Sequence, residues 1–101
     1  MTPVIIHPQA FLEIEGAKKW YESQSQGLKD QFMNELDHGM EYTWEYPESW
    51  PAYVSGTRRY LLHRFPFAIV YSYDGTTVKV FALMHLHRKP GYWLKRFNLE
   101  A

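Results

Sequence analysis

The spacing of apolar residues changes near the middle of the chain. In the first half, apolar side chains recur every three or four residues, which is the period of a helix buried on one face. In the second half, short runs of β-branched and aromatic residues alternate with turn residues, which is typical of strands. Since both kinds of element must bury an apolar face, the pattern predicts helices packed on one face of a sheet, an α+β fold.

Two amphipathic helices are predicted in the first half. The first covers residues 8–24, and Pro8 is compatible with its first turn. The second covers residues 28–45 and ends before Pro47. Their apolar positions are Phe11, Ile14, Ala17 and Tyr21 in the first helix, and Leu28, Phe32, Leu36 and Met40 in the second. A few residues around Gly27 separate the helices, so we expect an antiparallel hairpin.

Three strands are predicted in the second half, over residues 58–65, 67–73 and 78–86. Asp74-Gly75 is a strong signal for a tight turn between the last two, and Pro66 separates the first two. The strands should therefore form an antiparallel meander. Residues 3–7 are predicted to add an N-terminal strand, and residues 91–98 a short terminal helix. The expected order is β-α-α-β-β-β in one domain, residues 1–101.

The composition excludes several classes of protein and site. The chain has no cysteine, so it has neither disulfides nor a thiolate metal site. It contains no phosphate-binding glycine loop, dinucleotide fingerprint or nucleophile elbow, and we expect no cofactor and no metal. No segment approaches the roughly 18 apolar residues of a membrane span, and residues 1–8 do not resemble a signal peptide. We therefore expect a cytoplasmic protein that contacts no membrane.

Charge is divided unevenly along a chain whose net charge is zero. Residues 1–50 carry nine acidic and three basic side chains, and residues 51–101 carry two acidic and eight basic ones. The basic half can offer a face to phosphates or to an acidic partner, or the two halves can pair their charges with each other. Aromatic residues make up 18% of the chain, more than a small core needs, which indicates a surface that a partner covers.

Arginines on the first meander strand are the first candidates for a site. Arg58, Arg59 and Arg64 lie on or beside this strand. Their planar guanidinium groups can bind phosphate or carboxylate through two parallel hydrogen bonds. Arginines that simply face solvent at the ends of a strand would give the same pattern without any function.

Histidines lie at the end of the predicted last strand, and further basic residues follow it. His85 and His87 are predicted to share one strand face with Phe81 and Leu83. Two neighbouring imidazoles can divide the roles of acid and base near neutral pH, although ordinary strand-end histidines have the same pattern. The basic and aromatic residues that follow are Arg88, Lys89, Tyr92, Trp93, Lys95 and Arg96. This mixture suits either stacked RNA bases or a hydrophobic cap with charged flanks.

Five segments occur along the chain in an order that matches one protein family. They are Tyr21-Glu22, Leu28-x-x-x-Phe32-x-x-x-Leu36-Asp37, Pro47-x-x-Trp50-Pro51, the stretch from Arg58 to Tyr71, and the stretch from His85 to Trp93. Together they resemble the RelE/ParE superfamily, the toxins of type II toxin–antitoxin (plasmid stabilization) systems. The resemblance covers nearly the whole chain. It implies a helical hairpin on an antiparallel sheet, and an antitoxin that wraps the toxin with a helix and an added strand.

The resemblance also implies one of two activities, ribosome-dependent mRNA cleavage or binding of DNA gyrase. The cleaving members are metal-independent endoribonucleases that leave 2′,3′-cyclic phosphate ends. For the cleaving activity, the resemblance implies that Arg59 or Arg64 binds and stabilises the phosphate at the cleavage site. It also implies that His85 or His87 acts as the acid or base, and that Tyr92 is the aromatic residue that follows the last strand in this family. From the residue types themselves, the candidates for binding RNA or a partner are Arg58, Arg88, Lys89, Trp93, Lys95 and Arg96.

One feature of the chain departs from the ribosome-directed members. Those members are strongly basic, because contacts with rRNA and mRNA are largely electrostatic, whereas this chain is neutral. Both activities therefore stay open, beside a nontoxic protein-interaction module of the same fold. The expected partners are an antitoxin and either ribosome-bound mRNA or gyrase, in a homodimer or in a hetero-oligomer with the antitoxin.

Overall fold

The computed structural model describes residues 2–100, so the predicted domain of residues 1–101 includes one residue at each end that lies outside the described residues. A strand, two helices and three further strands follow one another in the predicted order. Their bounds are β1 (Val4–Ile6), α1 (Pro8–Gln24), α2 (Leu28–Glu45), β2 (Arg58–Leu61), β3 (Phe67–Tyr73) and β4 (Val78–His85). Short 3₁₀ helices cover Val54–Gly56 and Leu94–Glu100. The predicted α+β fold is confirmed.

The helical hairpin forms where the apolar spacing predicts it. α1 begins at Pro8, and Nδ1 of His7 accepts a hydrogen bond of 3.1 Å from the backbone N–H of Gln9, which caps the helix. Gly27 precedes α2 with a φ of +84°, a left-handed conformation that glycine adopts easily and that lets the chain reverse direction. The buried helical residues are Ala10, Ile14, Ala17 and Tyr21 in α1, and Phe32, Leu36, Gly39, Met40 and Thr43 in α2.

The sheet is mixed, with the strand order β1-β4-β3-β2. Strands β2, β3 and β4 form the predicted antiparallel meander, and β1 joins the sheet by running parallel to β4. In the pairing of β3 with β4, Phe67 lies opposite His85. Because β1 and β4 are the first and last strands, both helices and the other two strands lie between them in the sequence and form the crossover that a parallel pair requires.

Strand β2 is shorter than predicted and ends at Leu61 rather than at residue 65. The backbone N–H groups of His63 and Arg64 donate hydrogen bonds to the Glu35 carboxylate of α2, so they are engaged by a helix instead of a strand. Strand β4 ends at His85, one residue earlier than predicted. The terminal helix is a 3₁₀ helix that begins at residue 94 instead of residue 91.

Both faces of the sheet are covered. The larger hydrophobic cluster lies between the helices and the sheet and includes Phe32 and Ile69. A second cluster, on the opposite face, joins Val70 and Met84 to Trp93 of the C-terminal segment. The residues after β4 therefore close the face that the helices leave open.

A β-bulge in β4 changes which side chains share a face. Phe81 has no partner on β3, because the two residues that flank it in β4 pair with consecutive β3 residues. Such an extra residue breaks the alternation of side chains along a strand. Phe81 consequently packs in the second cluster, while Leu83 packs in the helix-side cluster. The prediction that Phe81 shares a face with Leu83, His85 and His87 is wrong for this reason.

Candidate functional site

An open groove of about 450 Å³ lies between α1 and the end of β4. The lining residues are Glu13, Gly16, Ala17 and Trp20 of α1, Phe67 of β3, Leu83 and His85 of β4, and Arg88 and Tyr92 beyond it. Three of the predicted site residues, His85, Arg88 and Tyr92, therefore meet here. We call this feature the α1–β4 groove.

The two predicted histidines lie side by side. Their ring centroids are 5.1 Å apart, and Nδ1 of His85 accepts the backbone N–H of His87 at 3.1 Å. The His85 ring also makes an edge contact with Phe67 at a centroid distance of 5.1 Å. His87 lies in the turn that follows β4. Two imidazoles at this separation can hold an anion or transfer a proton to a group bound beside them.

Arg88 and Tyr92 form a stacked pair at the rim of the groove. The Cζ of Arg88 lies 3.6 Å from the centre of the Tyr92 ring. The Tyr92 hydroxyl donates a hydrogen bond of 2.8 Å to Oε2 of Glu13. Burial, followed by this bond to a carboxylate, raises the pKa of Tyr92 well above its usual range. The phenol is therefore protonated at neutral pH and acts as a hydrogen-bond donor rather than as a base.

Glu13 organises this end of the molecule, although its residue type and position in the sequence do not mark it as a site residue. Its carboxylate accepts hydrogen bonds from both terminal nitrogens of Arg96 at 2.9 Å and from the backbone N–H of Leu83 at 3.1 Å, in addition to that from Tyr92. Arg88 lies farther away, with Nη1 3.9 Å from Oε2 of Glu13. In the sequence, Glu13 looks like any solvated helix residue, because its partners follow 70 to 83 residues later.

Two of the candidate arginines bind backbone carbonyls. Arg58 donates to the carbonyls of Glu48 at 3.1 Å and Trp50 at 2.8 Å, and so fixes the loop before β2. Arg96 is 11% exposed and donates to the carbonyl of Phe81 at 3.0 Å, besides its pairing with the helix carboxylate. Both side chains therefore have structural roles, Arg58 through Nη1 and Arg96 through both terminal nitrogens.

The remaining C-terminal candidates differ in exposure. Trp93 is fully buried, and its Nε1 donates to Sδ of Met84 at 3.4 Å. A side chain without exposed surface cannot contact RNA or a partner, so Trp93 is a core residue and not the contact residue that was predicted. Lys89 and Lys95 are exposed.

Arg59, one of the two candidates for binding the phosphate, and His85, one of the two candidates for the acid–base role, lie on opposite faces of the sheet. Arg59 pairs with Val70, and its Cζ lies 4.3 Å from the centre of the Tyr53 ring, on the face of the second cluster. His85 pairs with Phe67 and faces the helices. The sheet separates the two side chains.

Arg64 borders a second, polar cavity. This cavity, of about 470 Å³, is lined by Gln31, Asn34, Glu35, His38, Tyr60, His63 and Arg64. The Nε of Arg64 lies 3.9 Å from Oε1 of Glu35, whose carboxylate also accepts the backbone N–H groups of His63 and Arg64. Glu35 therefore closes the turn between β2 and β3 and holds Arg64 beside a negative charge.

Two features are absent from the described residues. Within the described part of the chain, no three histidine, aspartate or glutamate side chains are grouped so that they could bind a metal ion. Across residues 2–100, no helix combines the length and the apolar composition needed to cross a membrane.

Comparison with known proteins addresses the fold. No family model matches the chain, and no curated protein matches its sequence. Among solved structures, a chain of the "Chromosomal ParDE TA system from P. aeruginosa" matches with a TM-score of 0.73 and 14% sequence identity, over 86% of this chain and 98% of that chain. At this identity the likeness concerns the fold. The protein therefore shares its fold with a chain of a ParDE toxin–antitoxin system.

Proposed function

We propose that this protein is the toxin of a type II toxin–antitoxin module. Two observations from different sources support the proposal. The fold is similar to that of a chain from a ParDE toxin–antitoxin system over 86% of this chain, and the stretches from Arg58 to Tyr71 and from His85 to Trp93 resemble RelE/ParE toxins. The proposed location is the cytoplasm, where ribosomes and gyrase are found, and the proposed assembly is a hetero-oligomer with the antitoxin.

Within this class, binding of DNA gyrase is the better-supported activity. The observation that carries this choice is the location of Arg59 and His85 on opposite faces of the sheet. Cleavage through the 2′-hydroxyl needs an acid, a base and a cation within reach of one phosphate. A protein target makes no such demand, because affinity for it comes from an extended surface.

The other candidate residues favour the same activity. Tyr92 and Arg96 both bind Glu13 and hold the C-terminal segment in place. Arg64 lines the pocket beside Glu35, whereas His85 lines the α1–β4 groove, so these two candidates border different pockets. The net charge of zero also differs from the basic character that binding to rRNA and mRNA favours.

One arrangement favours the alternative activity, mRNA cleavage. His85 and His87 are 5.1 Å apart, and Arg88 follows them at the rim of the groove. These three groups could supply an acid, a base and a cation on the helix side of the sheet, without Arg59. The two activities therefore differ in what they require of the histidines, which can be measured.

The deciding experiment follows one induced culture with labelled thymidine, labelled methionine and analysis of mRNA. The gyrase proposal expects DNA synthesis to stop first, mRNA to stay intact, and the purified protein to inhibit supercoiling by gyrase. Early arrest of translation, with mRNA cut on ribosomes into fragments with 2′,3′-cyclic phosphate ends, would overturn it in favour of the ribonuclease. Normal growth at full expression would instead support a nontoxic interaction module.

A further inference from the structure

Two walls of polar side chains form the cavity beside Arg64. One wall is the face of α2 that carries Gln31, Asn34 and His38, which follow one another at intervals of three and four residues. The other wall is the turn between β2 and β3, which carries His63 and Arg64. We call this cavity, of about 470 Å³, the α2–turn pocket.

Tyr60 lines the α2–turn pocket with a hydroxyl that has no hydrogen-bond partner within residues 2–100, although the residue is only 7% exposed. Every fully buried polar side-chain atom of the described core is hydrogen-bonded, so this unpartnered hydroxyl keeps access to the pocket. Tyr71, by comparison, donates its hydroxyl to the carbonyl of Pro47 at 2.7 Å, as buried tyrosines usually do. Burial raises the pKa of Tyr60, so its hydroxyl is protonated at neutral pH and can donate.

The carboxylate of the pocket is already engaged, whereas its guanidinium is not. Glu35 accepts the backbone N–H groups of His63 and Arg64, and its side chain is 15% exposed. The Arg64 side chain is 65% exposed, and the 3.9 Å from its Nε to Oε1 of Glu35 is longer than a hydrogen bond. The donors of the Arg64 guanidinium are therefore available to another group.

The groups that line the pocket and have no hydrogen-bond partner in the described part of the chain are mainly donors. They are the guanidinium of Arg64, the hydroxyl of Tyr60, the amides of Gln31 and Asn34, and the imidazoles of His38 and His63. The guanidinium can only donate, and each of the other groups can donate as well as accept. An excess of donors that includes a guanidinium matches the oxygens of a carboxylate or a phosphate.

We propose that the α2–turn pocket binds a small molecule that carries an oxyanion, either a carboxylate or a phosphate. Two parallel hydrogen bonds from Arg64 hold the oxyanion, the Tyr60 hydroxyl donates a further one, and the amides of the α2 wall bind the rest of the molecule. The volume of about 470 Å³ lies within the roughly 300–1,000 Å³ of small-molecule sites. Neither His85 nor His87 lines this pocket, so it is distinct from the cleavage site that the resemblance implies.

The test titrates the complete isotope-labelled chain with inorganic phosphate and, separately, with malonate, at constant ionic strength, and follows the amide resonances by NMR. We expect saturable shifts at His63 and Arg64, and the anion that binds more tightly identifies the class of ligand. Tyr60→Phe and Arg64→Ala should each weaken binding at least about 10-fold, as the loss of a hydrogen bond to a charged group does. Arg88→Ala is the matched control for the arginine, because Arg88 is also exposed, at 55%, but lines the α1–β4 groove.

Tyr60→Phe also separates binding from folding. Its hydroxyl has no partner in the part of the chain that the structure describes, so its removal should leave the thermal midpoint unchanged while affinity falls. A lower midpoint would assign the hydroxyl to the fold and overturn its role in binding. The proposal also fails if neither anion gives saturable shifts, or if Arg88→Ala weakens binding as much as Arg64→Ala. Binding of an oligoribonucleotide but of neither small anion would make the pocket an RNA contact instead.

Discussion

Arg96 holds Glu13 through two hydrogen bonds of 2.9 Å that join residues 83 positions apart in the sequence. The backbone N–H of Leu83 and the hydroxyl of Tyr92 donate to the same carboxylate. The side chains of Arg96 and Glu13 are only 11% and 18% exposed, so water and salt screen their attraction little. Glu13 therefore fastens α1, β4 and the C-terminal segment to one another.

Replacing Glu13 by glutamine is expected to lower the free energy of unfolding by about 3 kcal/mol, because it leaves the charge of Arg96 uncompensated in a poorly solvated place. Chemical denaturation of the purified protein measures this change. Glu15→Gln is the matched control, since Glu15 pairs with Lys18 at the surface and such pairs contribute less than about 1 kcal/mol. Equal effects of the two substitutions would contradict the importance of the Glu13 network.

Alanine substitutions at two helical glycines should have opposite effects on stability. Gly39→Ala forces a methyl group against the Tyr60 ring, with a 2.8 Å contact to Cε1, and against Ile69. Overpacking of this kind costs about 1–3 kcal/mol, and the better helix propensity of alanine offsets it only in part. Gly16→Ala meets no such contact in the described chain and should stabilise the fold by about 0.5–1 kcal/mol. Thermal unfolding of both variants checks the signs, and two shifts of the same sign would refute the distinction.

Substitutions at the candidate catalytic residues test the proposed activity. If the protein binds gyrase, Arg59→Lys and His87→Gln should arrest growth at the induction level that the wild type requires. A ribonuclease that uses these residues would instead lose a factor of about 10²–10⁴ in rate. The measurement is growth across a range of inducer concentrations, with immunoblots to equalise protein amounts. A large loss in a folded His87→Gln variant would contradict the gyrase proposal.

Asp74 should make the hairpin between β3 and β4 sensitive to acid. Its carboxylate accepts the backbone N–H groups of Thr77 and Thr76 and the Thr76 hydroxyl, and these bonds lower its pKa from 3.8 to about 2. Because the pKa is lower in the folded state, the stabilisation is complete above the unfolded value and is lost as the pH falls through the folded value. Asp74→Asn keeps an oxygen acceptor but does not titrate. Wild-type stability should therefore fall more than that of the variant between about pH 5 and about pH 2, and parallel curves would count against this role.

The secondary structure follows from signals that are local in the sequence. The spacing of Phe32 and Leu36 predicts one face of α2, and Asp74-Gly75 predicts the turn between β3 and β4. Each signal depends on neighbours within one or two turns of chain, so the sequence alone is enough to find it. The helical hairpin and the meander could therefore be predicted without the structure.

The site depends on relationships that are not local. Strict alternation of side chains predicts which residues of β4 share a face, but the unpaired residue Phe81 interrupts that alternation. Nothing in the sequence marks the position of this bulge. The partners of Glu13 lie 70 to 83 residues away, and the contact forms only when the C-terminal segment folds back over the sheet. The opposite locations of Arg59 and His85 likewise appear only once the register of three strands is fixed.

Two tryptophans illustrate the difference between aromatic residues that build the core and those that lie at the surface. Trp93 is fully buried in the second cluster, and Trp20 is 60% exposed on α1. Trp93→Ala should lower the free energy of unfolding by about 3–5 kcal/mol, a large part of the roughly 5–15 kcal/mol of a typical domain. Trp20→Ala should change it by less than about 0.5 kcal/mol, because most of this side chain already faces solvent. Chemical denaturation of both variants checks this contrast, which fails if Trp20→Ala unfolds the protein or Trp93→Ala leaves it fully stable. A truncation from Pro90 onward removes Trp93 and Arg96 together, so its loss of toxicity would report an opened core, whereas Trp20→Ala tests the surface in an intact fold.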